Sequence, residues 1–299
     1  MNKIKRLFVI IKWILRQPLN KGCKPKAIAR FWLWQVNSRL NNYSIIMPWV
    51  NNTQLIVKKG LSSTTGNLYA GLQDFKDMSF LLHFLRREDT FVDIGANIGS
   101  YSILASGAVG ACSIAIEPIP ETWSCMQANI VVNGVQKLID PLNVGLGSEC
   151  STLRFTHEQD ITINHVAMDD DKEYVNILVR TLDDVIEERT SPSLIKIDVE
   201  GFETEVLKGG KNTLADESLK AIIIELNGSG SRYGFKDEDI HTLLLNAGFS
   251  PYDYDPFTRR LTALATYSNT INTIYIRDIE FVQDRINMAE KFKILEKEI

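Results

Sequence analysis

The stretch Phe91-Val-Asp-Ile-Gly-Ala-Asn-Ile-Gly-Ser-Tyr-Ser-Ile-Leu-Ala-Ser106 joins a short apolar run to a glycine-spaced turn and then to a helix-like segment. The apolar run is typical of a buried parallel strand. Gly95 and Gly99 favour a tight turn whose backbone lies close to a ligand. The apolar residues from Tyr101 to Ala105 predict a helix that packs back on the sheet. This order of elements indicates a doubly wound α/β fold.

Glu117 stands eighteen residues after Gly99, at the end of a second apolar run. In a doubly wound sheet the tips of the first two strands share one crevice, where an acidic side chain binds both hydroxyls of an adenosine ribose. After the third predicted strand, Asn143-Val144-Gly145 offers small and polar groups beside an adenine edge. We therefore predict a nucleoside-cofactor site that includes Glu117 and Gly145.

The glycine turn departs from the pattern of a dinucleotide site. That pattern has glycine at the third place and glycine or alanine three residues later, where this chain has Asn97 and Ser100. Asp93, at the strand end, is poorly placed against two phosphates and suits a cofactor with a positive amino group and a sulfonium. The helix N-terminus after Gly99 adds free N–H groups and the positive end of a dipole.

The composition allows one large α/β domain with an appendage, since 44% of the 299 residues are hydrophobic. The four cysteines show neither CxxC spacing nor a pattern with histidines, which argues against a zinc ribbon and against a disulfide framework. We therefore expect a cytoplasmic protein in a reducing compartment. The apolar run 7–15 is too short to span a bilayer, and no convincing cleavage site follows it.

Charge is distributed unevenly along the chain. The first 73 residues contain twelve Lys and Arg and no Asp or Glu, whereas the remainder is acidic. A basic arm of this kind either contacts something anionic or lies on the acidic body of its own domain. Residues 7–15 place their apolar side chains on one helical face, so one hypothesis is peripheral contact of residues 1–40 with an anionic membrane. The chain has no recognisable nucleic-acid module, and we expect no nucleic-acid partner.

Strand and helix signals alternate from residue 91 onward, as in a parallel sheet. The predicted strands lie near 91–94, 113–117, 140–145, 194–198 and 221–226, and the predicted helices near 99–108, 120–133, 203–215 and 236–247. Further strands are predicted at Thr152–Phe155 and Tyr174–Thr181, on either side of the acidic run 169–171. The tail from Thr258 to Phe281 predicts an antiparallel hairpin that closes the sheet edge, and Ile286–Ile299 predicts a charged helix.

Charged residues alternate with apolar ones in the fourth predicted strand, at Lys196, Asp198 and Glu200. Charged side chains on a central strand are costly unless they are paired or functional. Lys196 and Asp198 can form a structural ion pair. A carboxylate at the carboxyl end of such a strand also faces the ligand crevice, and we favour a functional role.

Several of these segments together resemble the FkbM family of S-adenosylmethionine-dependent methyltransferases. The resemblance covers roughly residues 75–228, and the run Lys196-Ile-Asp-Val-Glu-Gly201 is its most specific part. The segments that carry it are 91–100, 116–118, 181–184, 195–203, 206–210 and 224–225.

The resemblance implies a Rossmann-like class I methyltransferase fold of the α/β class, with a seven-stranded, mostly parallel sheet and an antiparallel last strand. We place a helical basic arm at 1–73, the methyltransferase domain at 74–285 and a charged helix at 286–299. S-adenosyl-L-methionine is then the cofactor, and the reaction is O-methylation of a hydroxyl on a sugar, a glycan or a related natural product. By the same resemblance the cofactor is lined by Asp93, Gly95, Asn97 and Gly99, and its ribose is bound by Glu117.

Methyl transfer to a hydroxyl requires a group that removes the hydroxyl proton. The candidates are Asp198, Glu200 and His165, the last in the insertion between the third and fourth strands. Glu225 and Asn227 end the fifth strand beside Asp198. Their oxygens either hold Mg²⁺ or form a hydrogen-bonded carboxylate pair without metal, and we expect the metal-free arrangement.

Two alternatives remain open at this point. An NAD-dependent oxidoreductase or epimerase uses the same fold class and the same ribose-binding carboxylate, although the phosphate pattern is missing. A non-catalytic binding module attached through the basic arm is the other alternative. It leaves the charged run around Asp198 unexplained.

Overall fold

The computed structural model describes residues 3–41, 43–59, 62–156, 165–168, 171, 173–268 and 272–299. Of the acidic run named above, Asp171 is therefore described, whereas Asp169 and Asp170 lie outside the described residues.

The secondary structure alternates strands and helices through most of the chain. The strands are β1 Ile45–Pro48, β2 Gln54–Val57, β3 Thr90–Ile94, β4 Cys112–Ile116, β5 Ile139–Leu142, β6 Gly145–Leu146, β7 Ser151–Thr156, β8 Tyr174–Arg180, β9 Leu194–Ile197, β10 Ala221–Glu225, β11 Ser250–Asp255, β12 Arg260–Ala263, β13 Asn272–Ile276, β14 Lys293–Ile294 and β15 Lys297–Glu298. The α-helices are α1 Lys3–Arg16, α2 Lys24–Leu40, α3 Ser62–Ala70, α4 Phe75–Phe84, α5 Ser100–Ile103, α6 Pro120–Asn133, α7 Leu182–Glu187, α8 Glu203–Lys208, α9 Lys211–Ala215, α10 Asp237–Asn246 and α11 Ile279–Asn287. Helix α5 continues as a π-helical turn, Leu104–Val109, and short 3₁₀ helices lie at Pro18–Asn20 and Ser229–Tyr233.

The central sheet has the strand order β12-β11-β13-β10-β9-β3-β4-β5, eight strands within the described part of the chain. From β10 to β5 all neighbours pair in parallel, whereas β13 lies antiparallel between β10 and β11. This is a mostly parallel α/β sheet with an antiparallel strand near one edge. The predicted Rossmann-like fold class is confirmed.

The sheet has one strand more than the seven expected, and the hairpin predicted over 258–281 is wrong in its pairing. Strand β12 pairs with β11, while β13 pairs with both β10 and β11. Four of the five residues of β13 are buried, so this strand enters the sheet interior. Strand β12 buries only Leu261 and therefore occupies the edge, where a one-sided strand is tolerated.

Helices cover both faces of the sheet because its central strands are buried on both sides. Strands β3 and β9 are buried at every position. Apolar side chains of α4, α5, α6 and α11 pack on one face, and those of α7, α8, α9 and α10 pack on the other. The carboxyl ends of β3, β4, β9 and β10 are thereby held at one rigid edge.

The basic arm packs into the same apolar cluster as the sheet. Ile14, Phe31 and Trp34 are buried in the cluster that also contains Phe91 of β3. Asn20 and Arg30 both donate hydrogen bonds to the backbone carbonyl of Tyr69, at 3.0 and 2.9 Å, which ties α2 to the end of α3. Among the described residues, no helix has the length and apolar character needed to cross a bilayer.

The charged helix predicted over 286–299 is wrong. Helix α11 ends at Asn287, and the chain then forms the short hairpin β14–β15. Phe292, Ile294 and Ile299 are buried in the cluster that contains the arm and α4. Phe292 and Ile294 are two residues apart, which suits a strand, and Phe292 exchanges backbone hydrogen bonds with Ile299 across the hairpin. Packing of these apolar residues overrides the helical propensity of the lysines and glutamates between them.

Two other predicted elements differ in detail. The helix predicted over 203–215 is split into α8 and α9 at Gly209 and Gly210. An added Cβ at Gly209 would lie 2.1 Å from the Gly147 carbonyl oxygen, so this close approach requires glycine. The strand predicted over 140–145 is divided into β5 and β6, and β6 joins a separate small sheet. The two extra strands predicted around the acidic run are confirmed as β7 and β8, which pair antiparallel.

Truncation of Phe31 tests whether the arm is an integral part of the core. Phe31→Ala is expected to lower the free energy of unfolding by about 3–5 kcal/mol, because a large buried ring leaves a cavity. Leu33→Ala is the matched control on the same helix, since Leu33 is 70% exposed, and it should change stability by less than about 0.5 kcal/mol. Urea denaturation measures both. Equal small effects would show that α2 is not structurally coupled to the sheet.

Candidate functional site

A cavity of about 320 Å³ lies at the carboxyl ends of the central strands. Several predicted site residues line it: Gly95, Asn97, Glu117, Gly145, Asp198 and Glu200. Asp93, Gly99 and His165 are not part of this lining. The predicted crevice between strand tips is thus a real cavity, and its lining differs from the prediction at three positions.

The two glycines of the β3–α5 turn are required by neighbouring protein segments. Gly95 has φ +75°, and an added Cβ would lie 1.8 Å from the backbone oxygen of Asp198. Gly99 has φ +83°, and an added Cβ would lie 2.8 Å from Met126 Cγ on α6. Both positions combine a left-handed backbone with close approach of another chain segment. The turn is therefore shaped by packing against the segment after β9 and against α6.

Asp93 lies beneath the cavity, on β3, and is only 1% exposed. Its Oδ2 accepts hydrogen bonds from the Ser102 backbone N–H at 3.1 Å and from Ser102 Oγ at 2.7 Å. Its Oδ1 has no hydrogen-bond partner in the part of the chain that the structure describes. Burial raises the pKa of this carboxyl, and the nearby Lys196 opposes the rise. Asp93 thus anchors the first turn of α5.

Glu117 is held at the tip of β4 by backbone donors from both adjoining loops. Its Oε1 accepts from the Ile119 N–H and its Oε2 from the Asn97 N–H, both at 2.9 Å. Burial raises the pKa of Glu117 to about 7, although these two donors lower it. Asn143 Nδ2 donates to the Glu117 and Pro118 carbonyls at 2.9 Å and so fixes the loop after β4. The carboxyl group is therefore immobile and borders the cavity.

The cavity is apolar on one side of Glu117. The residues that form this side come from the loop after β4, from the segment between β5 and β6, and from β6 and β7: Pro118, Ile119, Val144, Leu146 and Phe155. An added Cβ at Gly145 would lie 3.0 Å from Phe155 Cζ, so glycine makes room for that ring. A flat apolar ligand fits this environment.

The other side of the cavity is polar and is organised around Lys196. This lysine on β9 is 4% exposed, and its Nζ donates to Asp198 Oδ2 at 2.9 Å. The Nζ atom also lies 4.8 Å from the ring centroid of Tyr101, whose hydroxyl donates to Asp74 Oδ2 at 3.1 Å. Burial opposes the charge, yet the nearby carboxylates, Asp198 first, raise the pKa of Lys196 above its ordinary value.

Three carboxylates meet beyond Lys196. Oxygen atoms of Asp198, Glu200 and Glu225 lie within 4.8 Å of one another. Burial and the other carboxylates raise the pKa of Glu225 well above its ordinary value, and its Oε2 has no hydrogen-bond partner among the described residues. These oxygens are chemically suited either to a divalent cation or to shared protons. Asn227 is exposed, and its Oδ1 accepts from the Ser229 N–H, so it points away from this group.

The turn that carries Glu200 has a strained backbone and is held by hydrogen bonds to the buried Glu203. Glu200 has φ +54°, a left-handed conformation that is uncommon outside glycine. Glu203 accepts from the backbone N–H groups of Val199 and Gly201, both at 3.1 Å, and is 3% exposed. An added Cβ at Gly201 would lie 2.8 Å from the Ser229 backbone. The run Asp198-Val-Glu-Gly-Phe-Glu203 is thus one rigid loop, and burial raises the pKa of Glu200 within it.

His165 lies next to the small sheet and outside the cavity lining. Its backbone N–H donates to Thr156 Oγ1 at 3.0 Å, and its Nε2 is 3.8 Å from Asp171 Oδ2. The neighbouring Val166 carbonyl accepts from the Tyr233 hydroxyl at 2.7 Å. His165 therefore does not line the cavity, whereas Asp198 and Glu200, the other two candidates for the base, do.

Sequence reasoning missed several lining residues: Asn67, Gln73, Asp74, Tyr101, Phe202 and Asn272. They come from α3, from the segment before α4, from α5, from the loop after β9 and from β13, which are far apart in sequence. Asp74 carried one visible signal, since it is the first acidic residue of the chain.

The strand order, with its antiparallel strand next to one edge and a buried carboxylate ending the second strand, defines a Rossmann-like α/β protein of the methyltransferase type. The sequence profile described as the methyltransferase FkbM domain matches residues 93–251, more than half of the chain. The chain therefore belongs to the FkbM methyltransferase family, as its sequence motifs predicted.

Two curated proteins illustrate the relationship. The hexuronic acid methyltransferase AglP of Haloferax volcanii is 29% identical over 172 residues, covering 57% of this chain and 67% of that protein. The methyltransferase sdnD of Sordaria araneosa is 26% identical over 169 residues, covering 45% of this chain and 65% of that protein. The chain thus spans about two thirds of the length of these relatives.

Solved structures give a weaker similarity. The methyltransferase FkbM of Methylobacillus flagellatus KT is 16% identical, with a TM-score of 0.44, and the match covers 84% of this chain and 60% of that one.

Removal of the Lys196 charge tests the organisation of the polar side. Lys196→Met should lower the free energy of unfolding by about 3–5 kcal/mol, because it leaves the buried carboxylate of Asp93 without its nearby cation and breaks the pair with Asp198. Because the pKa of Lys196 is raised in the folded protein, its charge stabilises the fold at every pH below the ordinary lysine pKa. Burial already raises the pKa values of Asp74 and Asp93, and Lys196 lowers them, so in the variant both pKa values rise further. Protonation near pH 5.5 then relieves part of the loss of stability, which should be largest near pH 8.

The matched control is Lys208→Met, which removes an exposed pair with Glu205 and should cost less than about 1 kcal/mol. Urea denaturation curves of both variants at pH 5.5 and pH 8 measure these changes in the free energy of unfolding. An equal loss at both pH values would contradict the assigned role of Lys196.

Proposed function

We propose that this protein transfers the methyl group of S-adenosyl-L-methionine to a hydroxyl of a sugar or glycan. The observation that carries the proposal is the single cavity that joins Glu117, with its apolar neighbours, to the acidic tips of β9 and β10. Membership of the FkbM family supports methyl transfer, and the name of the relative AglP supports a sugar acceptor.

The lining suits the two ends of this cofactor. Each Glu117 oxygen accepts one backbone hydrogen bond and keeps a lone pair for one hydroxyl of the ribose diol. The apolar side formed by Ile119, Leu146 and Phe155 suits the adenine ring. The acidic side attracts the ammonium and sulfonium groups, which carry positive charge. The cofactor supplies an electrophilic methyl group, and the protein supplies the orientation of the acceptor and a base.

Glu200 is the proposed general base. Asp198 is paired with Lys196 at 2.9 Å, and His165 lies outside the cavity lining. Burial and the neighbouring Asp198 raise the pKa of Glu200, which brings a carboxylate closer to the pH at which general bases are most effective. Asp198, with Lys196, then positions the hydroxyl through a fixed acceptor oxygen.

The charge of the cavity limits the acceptor. Among the described lining residues, Lys196 is the one cation, whereas the carboxyl groups are five: Asp74, Glu117, Asp198, Glu200 and Glu225. A further carboxylate on the acceptor would meet like charges at low dielectric, which costs several kcal/mol. The acceptor is therefore a neutral sugar or an amino sugar. The hexuronic acid in the name of AglP is not carried over to this chain.

Cofactor identity is tested by titration with S-adenosylhomocysteine and with NAD in parallel. S-adenosylhomocysteine should bind and NAD should not. Its affinity should rise about tenfold from pH 6 to pH 8, because the diol needs the ionised Glu117 and the pKa of Glu117 is about 7. Glu117→Gln should bind more weakly, without this pH dependence. Calorimetry measures each case.

Glu121→Gln is the control for that experiment, since this exposed glutamate is on α6 and outside the lining. It should keep both the affinity and the pH dependence. Tight binding of NAD without S-adenosylhomocysteine would replace the proposal by the oxidoreductase alternative.

The reaction is tested with labelled S-adenosylmethionine and a panel of neutral, amino and uronic acid sugars. Label should reach neutral or amino sugars at least about tenfold faster than uronic acids. Glu200→Gln should reduce kcat about a hundredfold or more while S-adenosylhomocysteine still binds. Mass spectrometry locates the modified hydroxyl. Full activity of Glu200→Gln would exclude it as the base, and absence of transfer to any acceptor would favour the binding module.

A further inference from the structure

The α2 helix is apolar on both of its faces. One face is buried against the core through Ala27, Phe31 and Trp34. The opposite face exposes Trp32, Leu33, Val36 and Leu40, of which Leu40 is 77% exposed. An apolar helix face is normally buried against another element. The exposed face of α2 therefore has no partner within the described part of this chain.

Helix α1, which precedes α2, also has an exposed face. It packs against α2 and buries Ile14, with Leu7, Ile10 and Ile11 packed against the same core. The residues that it leaves exposed combine apolar and basic side chains: Lys5, Arg6, Phe8, Val9, Lys12, Trp13 and Arg16. We call the exposed residues of α1 and α2 the outer face.

Charge identifies what can cover the outer face. No Asp or Glu occurs in the first 73 residues, and the outer face is flanked by exposed Lys24, Lys26 and Arg39. One acidic neighbour, Glu296, pairs with Lys26 at 3.0 Å. A second copy of the chain that docked through the same outer face would bring two basic surfaces together, which is unfavourable. An anionic surface with an apolar interior would attract the lysines by charge and bury the exposed tryptophans and leucines.

We propose that the outer face docks on an anionic lipid membrane, with α1 and α2 lying in the plane of the interface. Trp13 and Trp32 are suited to the headgroup region, where an amphipathic ring has one apolar and one polar side. Lys5, Lys12 and Arg16 face the lipid phosphates. The docking adds to the proposed methyl transfer and does not depend on it.

The docked helices belong to the rigid unit that contains the cavity. Helix α2 packs on α3, whose Asn67 lines the cavity. The hydrogen bonds from Asn20 and Arg30 to the Tyr69 carbonyl hold that junction. A bound membrane is therefore in fixed relation to the candidate site.

The test is sedimentation of the full chain with two kinds of vesicle, phosphatidylcholine alone and phosphatidylcholine with about a third phosphatidylglycerol. The chain should pellet with the anionic vesicles, and added salt should weaken the binding. Leu33→Glu and Val36→Glu should each reduce the affinity at least about tenfold, because each places a carboxylate in the apolar part of the interface. Lys5→Glu with Lys12→Glu should do the same through charge alone.

Met288→Glu is the matched control, since it introduces the same carboxylate at a side chain that is 78% exposed and outside α1 and α2. It should bind vesicles as the unaltered chain does. Thermal melting shows that each variant folds. Absence of pelleting with anionic vesicles would overturn the proposal, as would equal binding to both kinds of vesicle. A dimer that Leu33→Glu dissociates, without vesicle binding, would assign the outer face to a second copy. Because S-adenosylhomocysteine titration is a separate measurement, either proposal can fail alone.

Discussion

One buried ammonium group, that of Lys196, holds the polar half of the cavity together. It lies on β9, between β3 and β10, where its Nζ reaches Asp198 directly and sits over the ring of Tyr101. Tyr101 extends the network to Asp74, in the segment before α4. An isolated buried lysine would lose its proton, but a lysine among carboxylates keeps it. The carboxyl groups at the tips of β4, β9 and β10 can therefore lie in one cavity without their mutual repulsion destabilising the fold.

The same excess of carboxyl groups indicates how the cavity would respond to a ligand. Lys196 satisfies Asp198, but Glu225 retains an oxygen without a hydrogen-bond partner among the described residues, and its pKa is raised. A positively charged or hydrogen-bond-donating ligand would reduce the repulsion between these carboxyl groups, whereas an anion would increase it. The apolar side of the cavity beyond Glu117 favours neither a cation nor a hydrogen-bond donor. The cavity is thus divided into two chemically different halves, and the tip of β4 stands between them.

Much of the central architecture was predictable because it depends on local pattern. The buried strands and α6 could be recognised from apolar runs and glycine punctuation, and Glu117 from its spacing after the turn. The role of Gly95 could not, because the atom that forbids a side chain there belongs to Asp198, a hundred residues away in sequence. The C-terminal hairpin was also missed. Ile294 lies on β14, with Phe292 just before it and Ile299 opposite Phe292 in the hairpin, only because the arm and α4 provide a surface that buries these side chains.

The amino-acid sequence by itself determined the fold class, the family and the positions of Glu117 and Asp198, because apolar periodicity and motif spacing act over short distances along the chain. It also determined the uneven charge, with a basic arm ahead of an acidic domain. Only the tertiary structure decided that Asp93 lies below the cavity, that His165 lies outside its lining and that Asp74 lies within it. The position of each of these side chains depends on how the helices pack on the sheet. That packing involves residues far apart in sequence, so no local run of residues determines it.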